Sequence, residues 1–71
     1  MIIIQRGLYQ HFKGAVYPVL GTANHTETEE KFVIYRGSLD PFDKYFNELY
    51  ARPLYSFIEY ENGQPRFRKI R

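Results

Sequence analysis

Apolar side chains at alternate positions predict two successive β-strands in the first half of the chain. From residue 17 onward, Tyr17 and Val19 fall on one face of an extended segment and Leu20 falls on the other, which is the period-2 pattern of a strand. The polar segment 25–30 is prone to turn, and a dense run of β-forming residues follows it at 31–36. These two strands are therefore predicted to pair as a hairpin.

The two ends of the chain predict further strands. Three β-branched residues at 2–4 precede Gly7 and are typical of a short first strand, or of a sheet edge that must be paired or covered. Residues 54–60 are predicted to form another strand. The Asn-Gly pair at 62–63 then predicts a tight hairpin into a last strand around 66–70.

One short helix is predicted near residues 41–48. Asp40 is a favourable N-cap, and Pro41 suits the first helical position. Apolar residues follow at helical spacing, namely Phe42, Tyr45, Phe46, Leu49 and Tyr50. With about five short strands and frequent turn signals, the pattern predicts a mainly β fold, a small β-barrel formed as a single domain over residues 1–71.

Composition restricts the function mainly by exclusion. The chain has no cysteine, which excludes a disulfide framework and a thiolate nucleophile and makes the reducing cytoplasm the expected compartment. The N-terminal apolar run is too short for a signal peptide and no segment approaches a membrane span, so no membrane partner is expected. Seven tyrosines and six phenylalanines supply bulk to a small core. The net charge is only +2, but basic residues gather at 66–71.

Many short motifs in a fixed order resemble a family of small bacterial proteins, domain of unknown function 1653 (DUF1653). The residues that carry the resemblance are Tyr9, His11, Phe12, Lys13, Gly14, Tyr17, Val19, Leu20, Ala23, His25, Thr26, Glu27, Thr28, Val33, Tyr35, Arg36, Arg52, Pro53, Leu54, Phe57, Glu59, Pro65, Arg66 and Phe67. The resemblance implies an SH3-like β-barrel and no established activity. The chain departs from the family pattern at 37–50, where the connection is longer and Tyr50 and Ala51 replace a Trp and a Val. A ligand that contacts this connection is therefore expected to differ.

Catalytic and metal-binding constellations are weak in this sequence. A small hydrolase could use His25 and Glu27 as an acid–base pair, but no serine or threonine lies in a nucleophile motif and no Gly-rich phosphate loop is present. His11, His25 and Glu27 have the chemistry of metal ligands but not a recognised spacing. We therefore expect no catalytic residues, no metal and no other cofactor, and the hydrolase stays the weakest alternative.

Arginine and aromatic residues favour a binding surface. Arg36, Arg52 and Arg66 each lie near a predicted strand end, where a guanidinium can bind a carboxylate or a phosphate. The alternative is that they pair with Glu27, Glu30 or Glu59 across the sheet. The candidate binding residues are His11, Lys13, His25, Thr26, Glu27, Tyr35, Arg36, Arg52 and Arg66.

Two binding functions stay open at this point. The first is a non-enzymatic module that recognises a protein or peptide through an aromatic and arginine surface, since Tyr and Arg are enriched at interfaces. The second is nucleic-acid or nucleotide binding, with bases stacked on Tyr or Phe and phosphates held by basic residues, namely Lys13, Arg66, Arg68, Lys69 and Arg71. A homo-oligomer is a further candidate assembly.

Overall fold

Within residues 2–71, which a computed structural model describes, the chain forms seven strands and one short helix. In chain order the elements are β1 (Gly7–His11), β2 (Val16–Asn24), β3 (Lys31–Arg36), β4 (Leu49–Pro53), α1 (Leu54–Ile58), β5 (Tyr60–Glu61), β6 (Gln64–Pro65) and β7 (Phe67–Lys69). Five strands make one antiparallel sheet in the order β4-β3-β2-β1-β7, and β5 pairs with β6. The predicted mainly β fold is confirmed.

A closed barrel is not seen in this part of the chain. Strands β4 and β7 are the two edges of the sheet order and do not pair with each other among residues 2–71. The sheet nevertheless curves, because the Arg52 guanidinium on β4 lies 5.4 Å from the centre of the Phe67 ring on β7. The SH3-like topology stays a prediction.

The predicted β2–β3 hairpin is present. The predicted Asn-Gly turn is also present, but it joins β5 to β6 and does not lead into the last strand, because β7 pairs with β1. Strands β2 and β3 pair around the turn at 25–30, with Ala23 opposite Phe32. In the second hairpin, Asn62 and Gly63 have φ angles of 52° and 78°, and the two positive values are those that a two-residue type I′ turn requires. The predicted N-terminal strand is misplaced, because the first strand begins at Gly7 and Ile3 remains 75% exposed.

The helix predicted near residues 41–48 is wrong, because this segment is a series of turns. The Asp40 carboxylate accepts the Phe42 N–H at 2.9 Å, as an N-cap would, but the Asp43 carboxylate accepts the Tyr45 N–H at 2.8 Å. Aspartate side chains that bond to nearby backbone compete with helical hydrogen bonds. Each aspartate therefore starts a new turn, and the helix does not propagate.

The strand predicted at 54–60 is also wrong in its first part, where α1 forms instead. Leu54 and Phe57 are three residues apart and both are buried beneath the sheet, which is the i, i+3 contact of a helix face. Tertiary burial of that face overrides the β-propensity of the segment.

The core lies between α1 and one face of the sheet, which we call the inner face. Its buried residues are Tyr9, Val19, Val33, Leu54, Phe57 and Phe67. The rings of Phe57 and Phe67 stack with centroids 4.4 Å apart and planes at 7°. No helix among residues 2–71 has the length and apolar character needed to cross a membrane.

Candidate functional site

Three tyrosines continue the inner face beyond the part that α1 covers. Tyr17 lies opposite the buried Tyr9, and Tyr35 lies opposite the buried Val19 and also opposite Tyr50. Residues that are directly opposite in a sheet share a face. The rings of Tyr17 and Tyr35 meet edge to face at 5.3 Å, and those of Tyr35 and Tyr50 lie 5.9 Å apart.

A fourth tyrosine closes these rings into a recess. The turns at 40–48 bring Tyr45 back over the end of β3, and the resulting cavity of about 340 Å³ is lined by Tyr17, Tyr35, Gly37, Tyr45 and Tyr50. We call this the tyrosine recess. Tyr45 and Tyr50 are 46% and 42% exposed, so both residues are accessible to a ligand.

Gly37 is required for the shape of the tyrosine recess. A Cβ at this position would lie 2.6 Å from Cε2 of Tyr50 and 2.9 Å from the carbonyl oxygen of Tyr45. Both distances are too short for a real contact, so any larger residue forces the walls apart. The backbone N–H of Gly37 donates to the Glu48 carbonyl at 2.9 Å, which holds the returning segment in place.

Arg52 lies two residues beyond Tyr50 on the same inner face. Its Nη1 donates to the Ser56 hydroxyl at 3.1 Å, and its guanidinium lies over the Phe67 ring. Among residues 2–71 no carboxylate forms a salt bridge with it. Its remaining donors are therefore available to an anionic group beside the tyrosine recess.

Arg66 is used inside the molecule. It donates to the carbonyl and hydroxyl oxygens of Ser56 at 3.1 and 2.9 Å, and its Nη2 reaches Glu59 at 3.4 Å and Glu61 at 2.8 Å. The side chain is only 15% exposed. Of the pairings proposed from the sequence, the one between Arg66 and Glu59 is present.

Arg36 positions the wall of the tyrosine recess. Its Nη1 donates to the Phe46 carbonyl at 3.3 Å, and its guanidinium lies 5.3 Å from the centre of the Phe46 ring. These contacts tie the segment that carries Tyr45 to the end of β3. Arg36 therefore supports the recess rather than facing a ligand.

His11 lies near Arg52 and Arg66 but does not line the tyrosine recess. Its ring packs edge-on against Phe67 at 4.9 Å, and its Nδ1 accepts the backbone N–H of Lys13 at 3.1 Å. Burial lowers the pKa of His11, and the positive charge of Arg52 lowers it further. The Lys13 ammonium is 5.9 Å from the Phe12 ring.

The turn after β2 holds the three remaining candidates, which the structure does not bring to the recess. The Nδ1 of His25 accepts the N–H groups of Glu27 and Thr28 at 3.2 and 3.3 Å, so its ring organises the turn. Thr26 and Glu27 are exposed in the same turn. His11 and His25 lie near opposite ends of the β1–β2 hairpin, and among residues 2–71 no group of three acidic or histidine side chains is placed to hold a metal.

Of the five residues that line the tyrosine recess, the candidates predicted from the sequence include only Tyr35 and miss Tyr17, Gly37, Tyr45 and Tyr50. Tyr45 was assigned to the apolar face of a helix that does not form, and Gly37 was treated as part of a connection. The available signal was a glycine directly after a β-rich strand, which often marks a close approach of other atoms to the backbone.

Comparison with known proteins agrees with the resemblance noted in the sequence. The profile of a family described as protein of unknown function (DUF1653) matches residues 7–69. The chain is also similar to a crystal structure of a DUF1653 protein from Bordetella bronchiseptica, with 31% identity and a TM-score of 0.75 over 94% of this chain and 87% of that one. No curated protein matches the chain in sequence.

Proposed function

Because the chain belongs to the DUF1653 family, whose description carries no activity, we propose a function from the geometry of the site. The protein is a non-enzymatic binding module that recognises a protein or peptide segment through the tyrosine recess and Arg52. The observation that carries this proposal is the convergence of four tyrosines on one open recess.

The chemistry of the recess suits peptide recognition. Tyrosine offers a large, rigid contact surface with a polar end, at a low cost in side-chain entropy. A guanidinium with available donors next to such rings selects a carboxylate. The expected ligand is therefore a short segment with an apolar or aromatic side chain for the recess and an acidic group for Arg52.

Nucleic-acid binding is the second candidate, since bases also stack on tyrosine rings. The basic residues Arg68 and Lys69 lie on β7, at the opposite edge of the sheet from β4. Arg66 is balanced by Glu59 and Glu61. Along β7, Arg68 follows the buried Phe67 and therefore points to the opposite face of the sheet from the one that carries the tyrosine recess. A phosphate bound by Arg68 would thus lie on the other face, which favours the peptide.

A catalytic function has less support. In the turn after β2, His25 uses Nδ1 to accept backbone N–H groups, and Thr28 accepts the Glu30 N–H at 3.2 Å. A general base must be within reach of the proton it removes, whereas these side chains serve their own turn.

The proposal is tested by selecting peptides from a random display library on the purified protein. Selected peptides are expected to lose on the order of 30-fold in affinity when Tyr45→Ala removes one wall, because truncating an interface hot spot costs about 2 kcal/mol. Tyr60→Ala is the matched control, since Tyr60 is 71% exposed and lies outside the recess. Calorimetry measures the affinities.

Two results would contradict this function. One is a selection that enriches no peptide. The other is a set of peptides that bind Tyr45→Ala as tightly as the unaltered protein. Binding of single-stranded DNA, measured at low and high salt, tests the second candidate. Affinity that weakens steeply as salt rises would indicate phosphate-driven nucleic-acid binding.

A further inference from the structure

Strand β4 has an unpaired edge. The Gly37 N–H donates to the Glu48 carbonyl, one residue beyond the last ladder pair, Arg36 and Leu49, while the Glu48 N–H donates to the Tyr45 carbonyl. In an antiparallel ladder the residues that bond towards the neighbouring strand recur at every second position. Tyr50 and Arg52 therefore bond towards β3. The N–H and C=O groups of Leu49 and Ala51 point away from the sheet and make no other hydrogen bond among residues 2–71.

This edge lacks the features that usually prevent pairing with another strand. Edge strands are commonly short, twisted away or protected by Lys and Pro. The opposite edge, β7, has only three residues and carries Arg68 and Lys69. Strand β4 has five residues, with Pro53 only at its end, and its Leu49 and Tyr50 are 56% and 42% exposed.

We propose that β4 pairs antiparallel with β4 of a second copy of the chain, about a twofold axis at Tyr50. Leu49 then lies opposite Ala51 of the second copy, so that the outward N–H and C=O groups of both residues bond in pairs. Tyr50 faces its own equivalent across the axis. Glu48 lies opposite Arg52 of the second copy, and the twofold axis repeats this pair.

Charge complementarity favours this register of the two β4 strands over the neighbouring registers. Glu48 and Arg52 form no salt bridge among residues 2–71. Tyr50 lies midway between them in the sequence, so an axis at Tyr50 places Glu48 of each copy opposite Arg52 of the other copy. An axis at Ala51 would instead place Arg52 opposite Tyr50, and an axis at Leu49 would place Glu48 opposite Tyr50, so neither brings the two charges together. Opposite charges that face each other across strands stabilise a sheet.

The dimer does not depend on the proposed function, but both use Arg52. One of its five N–H donors is used by Ser56, which leaves enough donors for Glu48 of the second copy and for one ligand carboxylate. The two five-stranded sheets become one continuous sheet, with a tyrosine recess on each side of the axis and Tyr50 between them. Dimerisation is measured without any ligand, so its failure and the failure of peptide binding are distinguished.

The test is sedimentation equilibrium of the full chain at physiological salt, with charge exchange across the interface. The unaltered protein is expected to sediment as a dimer at micromolar concentration. Glu48→Arg and Arg52→Glu should each raise the dissociation constant at least about tenfold, because each places like charges opposite one another twice. The double variant restores opposite charges and should dimerise again.

Two further variants keep the result interpretable. Ala51→Pro removes an N–H that points away from β3, so it should abolish the dimer while circular dichroism stays native. Arg68→Glu changes a charge on the β7 edge and should leave the dimer intact. A monomeric unaltered protein at about 100 µM would overturn the proposal, a concentration far above the dissociation constant expected for a stable pair. So would a folded double variant that stays monomeric, or a dimer insensitive to Ala51→Pro.

Discussion

At Gly37 the absence of a side chain decides the shape of the tyrosine recess. The neighbouring atoms come from Tyr45 and Tyr50, which are eight and thirteen positions further along the chain. A glycine at the end of β3 could also have been a simple turn residue, and only the approach of these two tyrosines shows its role. The tertiary structure also separates the roles of two arginines. Glu59 and Glu61 form salt bridges with Arg66 and not with Arg52.

Gly37→Ala is therefore expected to destabilise the protein by about 1–3 kcal/mol, the usual cost of forcing an extra methyl group into a packed site. Chemical denaturation measures the change. Adding Tyr50→Ala removes the atom that the new methyl group would meet at 2.6 Å. The double variant should therefore be more stable than the sum of the two single changes, and strict additivity would contradict this account.

At the scale of elements, local sequence signals compete and packing decides between them. Segment 41–48 has helical spacing, but the carboxylates of Asp40 and Asp43 bond to nearby backbone and interrupt the helix. Segment 54–58 is rich in β-formers and becomes α1, since a helix places Leu54 and Phe57 together on the core. The sequence thus predicts one helix, as observed among residues 2–71, but places it near 41–48 and not at Leu54–Ile58.

Two substitutions within α1 test this explanation. Phe57 is 2% exposed, and Phe57→Ala should cost about 3–5 kcal/mol, which for so small a domain is enough to unfold much of the population. Tyr55 is 73% exposed in the same helix, and Tyr55→Ala should change stability by less than about 0.5 kcal/mol. Urea denaturation followed by circular dichroism compares the two, and equal effects would mean that α1 is not anchored through Phe57.

At the scale of the whole molecule, curvature of the sheet brings positive charges from different elements together. Arg52 on β4, Lys13 after β1 and Arg66 before β7 all act on His11. Glu61 on β5 opposes them. Burial is the largest cause and acts in the same direction as the three cations, so the pKa of His11 falls below its ordinary value of 6.5.

This shift makes stability depend on pH with a definite sign. A lowered pKa means that the unfolded chain binds the His11 proton more readily than the folded chain does, so stability rises with pH. The stabilisation is complete above the ordinary pKa of 6.5 and is lost as pH falls from there towards the folded pKa. The melting temperature should thus fall as the pH is lowered from about 7.5 to about 5.

His11→Gln should flatten that pH dependence, since glutamine can still accept a hydrogen bond but does not titrate. The unaltered protein and His11→Gln are compared over the same pH range. A slope that persists unchanged with His11→Gln would contradict the assignment to this histidine. Thermal melts at dilute protein concentration limit any contribution from dimerisation.

The sequence by itself determined the mainly β class, the β2–β3 hairpin and the Asn62–Gly63 turn, because alternation and turn chemistry act over a few neighbouring residues. The family assignment also came from short motifs in order. The position of α1, the open edge of β4 and the tyrosine recess were decided only by the tertiary structure. Each depends on contacts between residues that are far apart in the sequence, and local patterns do not show which of these residues come into contact.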